Sequence, residues 1–168
     1  MRKLERSARW GVPDEKIPAG DAKRLKVLFV EDDAESRRIG VMRLERFFDL
    51  LVASNDAEAC ALYRAHADSI YLILLDIQLQ GSTLDGMRLC QLFRKGTCDV
   101  AVPNHGRGLP VRSIPVIFMT AYGRRYGYEN LASAGGNRVM EKPVDFVRLS
   151  NVLTSIHEDI AKREFEVL

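Results

Sequence analysis

Long hydrophobic runs are missing from this sequence, and so is a strong excess of charge of one sign. No apolar stretch approaches the roughly 20 residues that a helix needs to cross a bilayer. The first residues are mostly charged and lack the apolar centre of a signal peptide. A net charge of +2 is too small to predict binding to nucleic acid or to an anionic membrane. We therefore expect a cytoplasmic protein that contacts neither of them directly.

Cysteine is scarce and shows no metal-binding spacing. The three cysteines make an odd count without a CxxC pair, which is typical of reduced intracellular thiols. Cys98 and His105 offer only half of a zinc site, so we expect no zinc. The remaining composition, with 46% hydrophobic and 29% charged residues, is ordinary for a globular domain with a core of its own.

Two segments interrupt the periodic pattern of the chain. Residues 1–24 have no clear period and read as an N-terminal tail or linker, with Trp10 as its best candidate for an anchor. Residues 96–113 are rich in glycine and proline and predict a long surface excursion. We therefore expect a domain over 25–160 with an inserted loop at about 96–113, followed by a helical extension over 161–168.

Within that domain, short apolar runs alternate with stretches of helical period. The runs are rich in branched residues, which predicts strands buried on both faces. Tyr122 to Ala134 reads as a weak helix, and Pro143 is expected to start the last helix. The predicted strands are residues 26–30, 50–53, 70–75, 116–119 and 138–141, with a helix after each of them.

This alternation predicts an α/β fold. Five strands alternating with five helices favour a parallel sheet with right-handed crossovers and helices on both faces. The small doubly wound solution is the flavodoxin-like five-stranded sheet with strand order 2-1-3-4-5. In that order the carboxyl ends of strands 1, 3, 4 and 5 are neighbours at one edge of the sheet.

Polar side chains follow the apolar runs at that edge. Asp76 ends the most apolar run, and a buried carboxylate there costs several kcal/mol unless it is paired. Candidate partners are Glu31, Asp32 and Asp33 after the first strand, Thr120 after the fourth and Lys142 after the fifth. We expect these side chains to converge.

Such a group has a definite chemistry. Clustered carboxylates favour a hard divalent cation, and Mg²⁺ is usually held by one or two carboxylates plus waters and phosphate oxygens. A lysine and a threonine hydroxyl complete an anion site beside it. A carboxylate can then act as the nucleophile toward a phosphoryl group and form an aspartyl phosphate.

The chain resembles the receiver domain of two-component response regulators over about residues 25–160. The resemblance depends on several short motifs, each placed where a predicted strand or loop ends. These motifs are Val27-Leu28-Phe29-Val30-Glu31-Asp32-Asp33, Leu74-Leu75-Asp76, Asp85-Gly86, Phe118-Met119-Thr120-Ala121 and Glu141-Lys142-Pro143.

The resemblance implies a role for each matching residue. Asp76 would accept phosphate from the phosphohistidine of a sensor histidine kinase or histidine phosphotransfer protein. The metal ligands for Mg²⁺ would be Glu31, Asp32, Asp76 and the backbone carbonyl of Gln78. Thr120 and Lys142 would bind the phosphoryl group, the small Ala121 would leave access to it, and the Lys142–Pro143 peptide would be cis. The output would be a changed surface on strands 4 and 5 and the last helix.

Three features depart from the family pattern. Gln80 stands where proline is usual, four residues after Asp76, and the loop from Asp76 to Asp85 is about two residues longer than usual. Val139 replaces the aromatic residue that is expected three positions before the lysine. Tyr122 or Tyr126 is a possible substitute for that aromatic switch residue.

Several alternatives stay open at this level. Asp33 either caps the first helix or assists the metal. His157-Glu158 resembles a histidine box, but we interpret it as a solvated helix face because the downstream signature is missing. The last helix continues its apolar pattern toward Phe165 and Val167, which fits either a homodimer or a connection to an output domain.

The alternative function is a receiver-like module that binds proteins without being phosphorylated. Enzymes fit less well, so we expect a switch without turnover of its own. An aspartyl phosphatase would need a general acid where Gln78 stands, and a nucleotide-binding fold would need GxGxxG where Glu31-Asp32-Asp33 stands. The chain is then a stand-alone receiver or part of a larger regulator or hybrid kinase.

Overall fold

A computed structural model describes residues 24–121 and 126–166. Its centre is a five-stranded sheet in which all strand pairs are parallel and the order is β2-β1-β3-β4-β5. The predicted flavodoxin-like order is therefore confirmed. The strands are β1 (Lys26–Val30), β2 (Asp49–Ala53), β3 (Ile70–Asp76), β4 (Val116–Thr120) and β5 (Arg138–Glu141).

Helices follow every strand among the described residues. Asp33, Asn55 and Asp85 each cap a helix by accepting a backbone N–H with the side chain, as short polar residues do at this position. A short 3-10 turn, Asn104–Gly106, lies between the third helix and β4. The helices are α1 (Ala34–Leu44), α2 (Asp56–His66), α3 (Gly86–Lys95), α4 (Tyr128–Ser133) and α5 (Phe146–Glu166).

The sheet separates two hydrophobic cores. One core lies under α2, α3 and α4 and includes the stacked rings of Tyr63 and Phe93, whose centroids are 4.1 Å apart. The other lies under α1 and α5 and includes Phe29, Leu44 and Leu149. Because both faces are covered, β3 is apolar along its length, which explains why its sequence shows no alternation.

Two predicted helix starts are wrong. The last helix begins at Phe146 rather than at Pro143, because the Asp145 side chain accepts the N–H of Arg148 at 2.9 Å and caps the helix there. The helix predicted over 122–134 is not continuous, because Gly127 is extended and the described helix begins after it, at Tyr128. Residues 122–125 lie outside the described part of the chain, as do residues 1–23 with Trp10.

The 96–113 segment is tied to the domain surface at several points. Leu109 and Gly106 are buried, and the Arg64 guanidinium donates to the carbonyl of Arg107 at 2.8 Å. The Arg112 side chain pairs with Asp68 at 2.8 Å. The predicted excursion is thus an ordered cover over α2 and α3. No helix in the described ranges has the length and apolar character that a membrane crossing requires.

Candidate functional site

The candidate site lies where β1, β3, β4 and β5 end at one edge of the sheet. Parallel pairing sets Asp76 beside Met119 and Thr120 beside Glu141. The N–H of Lys142 donates to the carbonyl of Thr120 at 2.9 Å, which extends that pairing by one residue. The residues that follow four separate strands are therefore brought to one place by the register of the sheet.

Three carboxylates meet at this edge. One carboxylate oxygen from each of Glu31, Asp32 and Asp76 lies within 4.8 Å of the other two. Glu31 and Asp76 are buried, while Asp32 is partly exposed. The donors are hard oxygen atoms of the type that Mg²⁺ prefers, so this set fits the predicted magnesium site.

Lys142 supplies the positive charge in the site. Its ammonium Nζ lies 2.5 Å from Glu31 Oε2 and 2.7 Å from Asp76 Oδ2. The lysine side chain is itself largely buried, so both pairs are shielded from water. The peptide between Lys142 and Pro143 is cis, as the resemblance implied.

Burial and crowding change the protonation of these groups. Burial raises the pKa of Glu31 to about 7, helped by the neighbouring Asp76 charge and opposed by Lys142. Burial also raises the pKa of Asp76, against the hydrogen bond from Lys142. Burial by itself lowers the pKa of Lys142, but the hydrogen bonds to Asp76 and Glu31 outweigh it and leave that pKa raised. One ammonium is therefore shared by two buried carboxylates, and the pKa of each carboxylate is raised.

Residues 77–85, here called the acceptor loop, contact both carboxylates that flank the metal site. The N–H of Gln78 donates to Asp76 Oδ1 at 3.1 Å, and the N–H of Gln80 donates to Asp32 Oδ2 at 2.9 Å. The loop closes where the N–H of Gly86 donates to the carbonyl of Ile77 at 3.0 Å. A Cβ at Gly86 would lie 2.0 Å from the Asp76 carbonyl oxygen, so only glycine fits there.

Sequence reasoning missed Arg37. Its Nη1 donates to the carbonyl oxygens of Glu31 and Asp32, at 2.8 and 2.9 Å, and so holds the turn that carries the two acids. The sequence feature that could have indicated this role is the position of Arg37, one helical turn after Glu31-Asp32-Asp33. Asp33 caps α1, and its carboxylate accepts the N–H of Ser36 at 2.7 Å.

The remaining predicted residues surround the same edge. Thr120 is buried at the end of β4, and Ala121 after it is exposed. Tyr126 and Val139 are partly buried and pack against the core that contains Phe118. Tyr122, the other aromatic candidate, lies outside the described residues.

His157 is half-buried and hydrogen-bonded, whereas Glu158 is exposed, so the predicted solvated face holds for Glu158 but not fully for His157. Its Nδ1 donates to the carbonyl of Leu153 at 2.8 Å, and its Nε2 shares a hydrogen bond with the Tyr71 hydroxyl at 3.2 Å. The two rings stack with centroids 5.7 Å apart. His157 therefore fixes α5 to the start of β3. Cys98 and His105 bond to separate groups, namely Val100 and Asp56.

Comparison with known families gives one clear match. A model described as the response regulator receiver domain matches residues 27–154, which is more than half of the chain. That interval contains every residue of the carboxylate and lysine cluster.

Individual relatives are more distant. The chain is 29% identical over 132 residues to hybrid signal transduction histidine kinase M of Dictyostelium discoideum, covering 77% of this chain but only 5% of that protein. The receiver domain of NtrX from Brucella abortus superposes with a TM-score of 0.60 at 24% identity, covering 79% of this chain and 98% of that one. CheY in a CheX–CheY–BeF3–Mg complex from Borrelia burgdorferi gives a TM-score of 0.61 at 19% identity, covering 80% and 90%. These two structural likenesses concern the fold.

Proposed function

The chain belongs to the response regulator receiver domain family, and we propose that it is a switch in which Asp76 accepts a phosphoryl group. The observation that carries this proposal is the convergence of Glu31, Asp32 and Asp76 around the Lys142 ammonium. Receiver domains exchange phosphoryl groups with histidine kinases or phosphotransfer proteins. We infer that the donor for this chain is a phosphohistidine of such a protein.

In the proposed transfer, a carboxylate oxygen of Asp76 attacks phosphorus in line with the phosphorus–nitrogen bond of the donor. The new oxygen–phosphorus bond forms as that bond breaks, and the imidazole leaves with the electron pair and takes up a proton. Asp76 begins the step as an anion, and Lys142 stabilises that state from 2.7 Å.

Positioning and charge neutralisation supply most of the catalysis in such a transfer. Glu31, Asp32, Asp76 and the carbonyl of Gln78 would hold Mg²⁺, which neutralises phosphoryl charge when bound. After the transfer, the Lys142 ammonium would pair with an oxygen of the phosphoryl group that Asp76 then carries. Thr120 would donate its hydroxyl to another of these oxygens, and the resulting movement would change the surface of β4, β5 and α5.

The direct test is intact-mass spectrometry after incubation with acetyl phosphate or phosphoramidate, with and without Mg²⁺. We expect one added phosphoryl group that requires Mg²⁺, is absent in Asp76→Ala and persists in Asp99→Ala, which removes an exposed carboxylate. A wild-type protein that gains no adduct would instead favour a phosphorylation-independent interaction module. An adduct that survives in Asp76→Ala would move the acceptor to another residue.

We further propose that the protein works in the cytoplasm, without turnover of its own, and that α5 provides contacts beyond the domain. This helix continues to Glu166, well past the end of the family match, and Val147 in its first turn is 69% exposed. We expect either a second copy of the chain or an attached output domain to contact α5. Light scattering separates them: a monomer with and without the phosphoryl group contradicts the dimer.

A further inference from the structure

The 96–113 segment reaches the acceptor loop through a histidine. The Nε2 of His105, in the 3-10 turn, lies 2.9 Å from Asp56 Oδ2. The Asp56 side chain is only 4% exposed, whereas that of His105 is 28% exposed. A carboxylate buried to this degree requires hydrogen-bond donors, and His105 is one of two that it has among the described residues.

The second donor is the acceptor loop itself. The N–H of Leu84 donates to the same Asp56 oxygen at 3.0 Å. In return, the N–H of Asp56 donates to the Ser82 hydroxyl at 3.1 Å. Residue 56 therefore holds the C-terminal half of the acceptor loop by two hydrogen bonds, and its carboxylate bridges that half to His105.

The other half of the loop carries the groups that face the metal site. Gln80 donates its N–H to Asp32, and Gln78 lies two residues before it and bonds to Asp76. Only one residue, Gly81, separates Gln80 from Ser82. A displacement of the loop residues that bond to Asp56 would therefore also displace Gln80.

The turn that carries His105 is held independently of the loop. Arg64 of α2 donates to the carbonyls of His105 and Arg107 at 3.2 and 2.8 Å. Gly106 packs so closely that a Cβ there would lie 2.7 Å from Leu92 of α3. His105 thus reaches Asp56 from a backbone that is fixed on two helices.

We propose that His105 and Asp56 are positioning residues that hold the acceptor loop in the geometry needed for the metal site. Their side chains bond to each other and to Leu84, and the N–H of Asp56 bonds to Ser82, so they act on Gln80 through the backbone of the loop. This role deepens the proposed function and depends on it. The 96–113 segment then has a role at the site, because it supplies His105.

The test compares His105→Ala and His105→Gln in the full chain, with His66→Ala at the end of α2 as the control. Glutamine can place its amide nitrogen where His105 has Nε2, so it should restore the bond. The readouts are the backbone amide signals of Gln80 and Leu84 by ¹⁵N NMR, and the Mg²⁺ affinity by calorimetry. We expect His105→Ala to displace both signals and to weaken Mg²⁺ binding by about threefold to tenfold, less than the roughly 10–100-fold typical of groups bonded directly to metal ligands.

We expect His105→Gln and His66→Ala to match the wild type in both readouts. The proposal is overturned if His105→Ala changes only signals within 96–113, or if the Gln80 signal and the Mg²⁺ affinity stay as in the wild type. A wild-type protein that does not bind Mg²⁺ would refute the proposed function instead. The Gln80 signal would then decide on its own whether His105 positions the loop.

Discussion

The backbone N–H of Gln80 donates a hydrogen bond of 2.9 Å to the Asp32 carboxylate, at a position where related receiver domains usually have proline. Proline has no N–H and could not make this bond. The absence of proline at this position therefore allows the backbone to bond to Asp32. The bond leaves the other Asp32 oxygen available for a metal ion.

Substitution of Gln80 by proline should weaken the metal site. Gln80→Pro removes the N–H that orients Asp32, and loss of a group bonded directly to a metal ligand commonly costs roughly 10-fold or more in metal affinity. Gln80→Ala keeps the N–H and should bind Mg²⁺ like the wild type. Calorimetric titration measures the Mg²⁺ affinity of each variant. Equal affinities for the proline and alanine variants would show that the bond from Gln80 to Asp32 does not contribute to Mg²⁺ binding.

Mg²⁺ binding should strengthen as the pH rises toward neutrality. The pKa of Glu31 is raised to about 7 by burial, so below pH 7 this carboxyl is mostly protonated and must lose its proton before it can bind a cation. The affinity should increase about fivefold from pH 6 to pH 7 and level off above pH 8, since one proton is released per ion. Glu31→Gln removes that proton, and its weaker Mg²⁺ affinity should lose most of this pH dependence. A Glu31→Gln titration that keeps the full wild-type slope would assign the proton to another group.

Removal of the Lys142 charge should strengthen Mg²⁺ binding while it impairs phosphorylation. The ammonium pairs with the Glu31 and Asp76 oxygens that the cation would use. Lys142→Met should therefore raise the Mg²⁺ affinity by about tenfold, because the competing and repelling charge is gone. The same variant should accept less phosphate from acetyl phosphate, because the lysine ammonium is no longer present to pair with a phosphoryl oxygen. Lys95→Met, at the exposed end of α3, is the control, and weaker Mg²⁺ binding in Lys142→Met would contradict the competition.

We predict that Tyr126 takes the place of the missing switch residue at Val139. Both side chains pack against the core that contains Phe118 of β4. Tyr126→Ala should still gain one phosphoryl group, but the amide signals of β5 and α5 should change less on phosphorylation. Tyr126→Phe keeps the ring and should respond like the wild type. Full responses in Tyr126→Ala and in Tyr122→Ala would exclude both tyrosines.

The glycine that begins α3 should be intolerant of a side chain. Gly86→Ala would place a Cβ 2.0 Å from the Asp76 carbonyl oxygen, and backbone displaced by such overpacking costs about 1–3 kcal/mol. Gly127→Ala meets only Asn130, at 3.6 Å, and should change the free energy of unfolding by less than about 0.5 kcal/mol. Urea denaturation measures both, and equal values would mean that the loop relaxes without cost.

Much of the candidate site could be predicted from local sequence patterns. The carboxyl ends of parallel strands share one edge of a sheet, so Glu31, Asp76 and Lys142 could be placed together once five apolar runs had been recognised. Each run and its following polar residue are adjacent in sequence, which makes such an inference possible without long-range information. Helix caps such as Asp33 follow from equally local chemistry.

Periodicity could not decide between neighbours on a helix. Val41 and Met42 are adjacent apolar residues, and a helical period of 3.6 fits either of them on the buried face of α1. The structure packs Val41 against the core and leaves Met42 60% exposed. The start of α5 was misplaced for a related reason, since Pro143 and Asp145 both suit the beginning of a helix. Packing against the core decided the first case, and the side-chain cap from Asp145 decided the second.

The sequence by itself determined the order of strands and helices, the family and the cluster of acids with Lys142, because each depends on short motifs and on the geometry of parallel sheets. Only the tertiary structure brought His105 to Asp56 across 49 residues, Gln80 to Asp32 across 48 and Tyr71 to His157 across 86. These contacts join segments with no shared period or motif. They exist because the folded sheet and its helices bring hydrogen-bond partners within about 3 Å of one another.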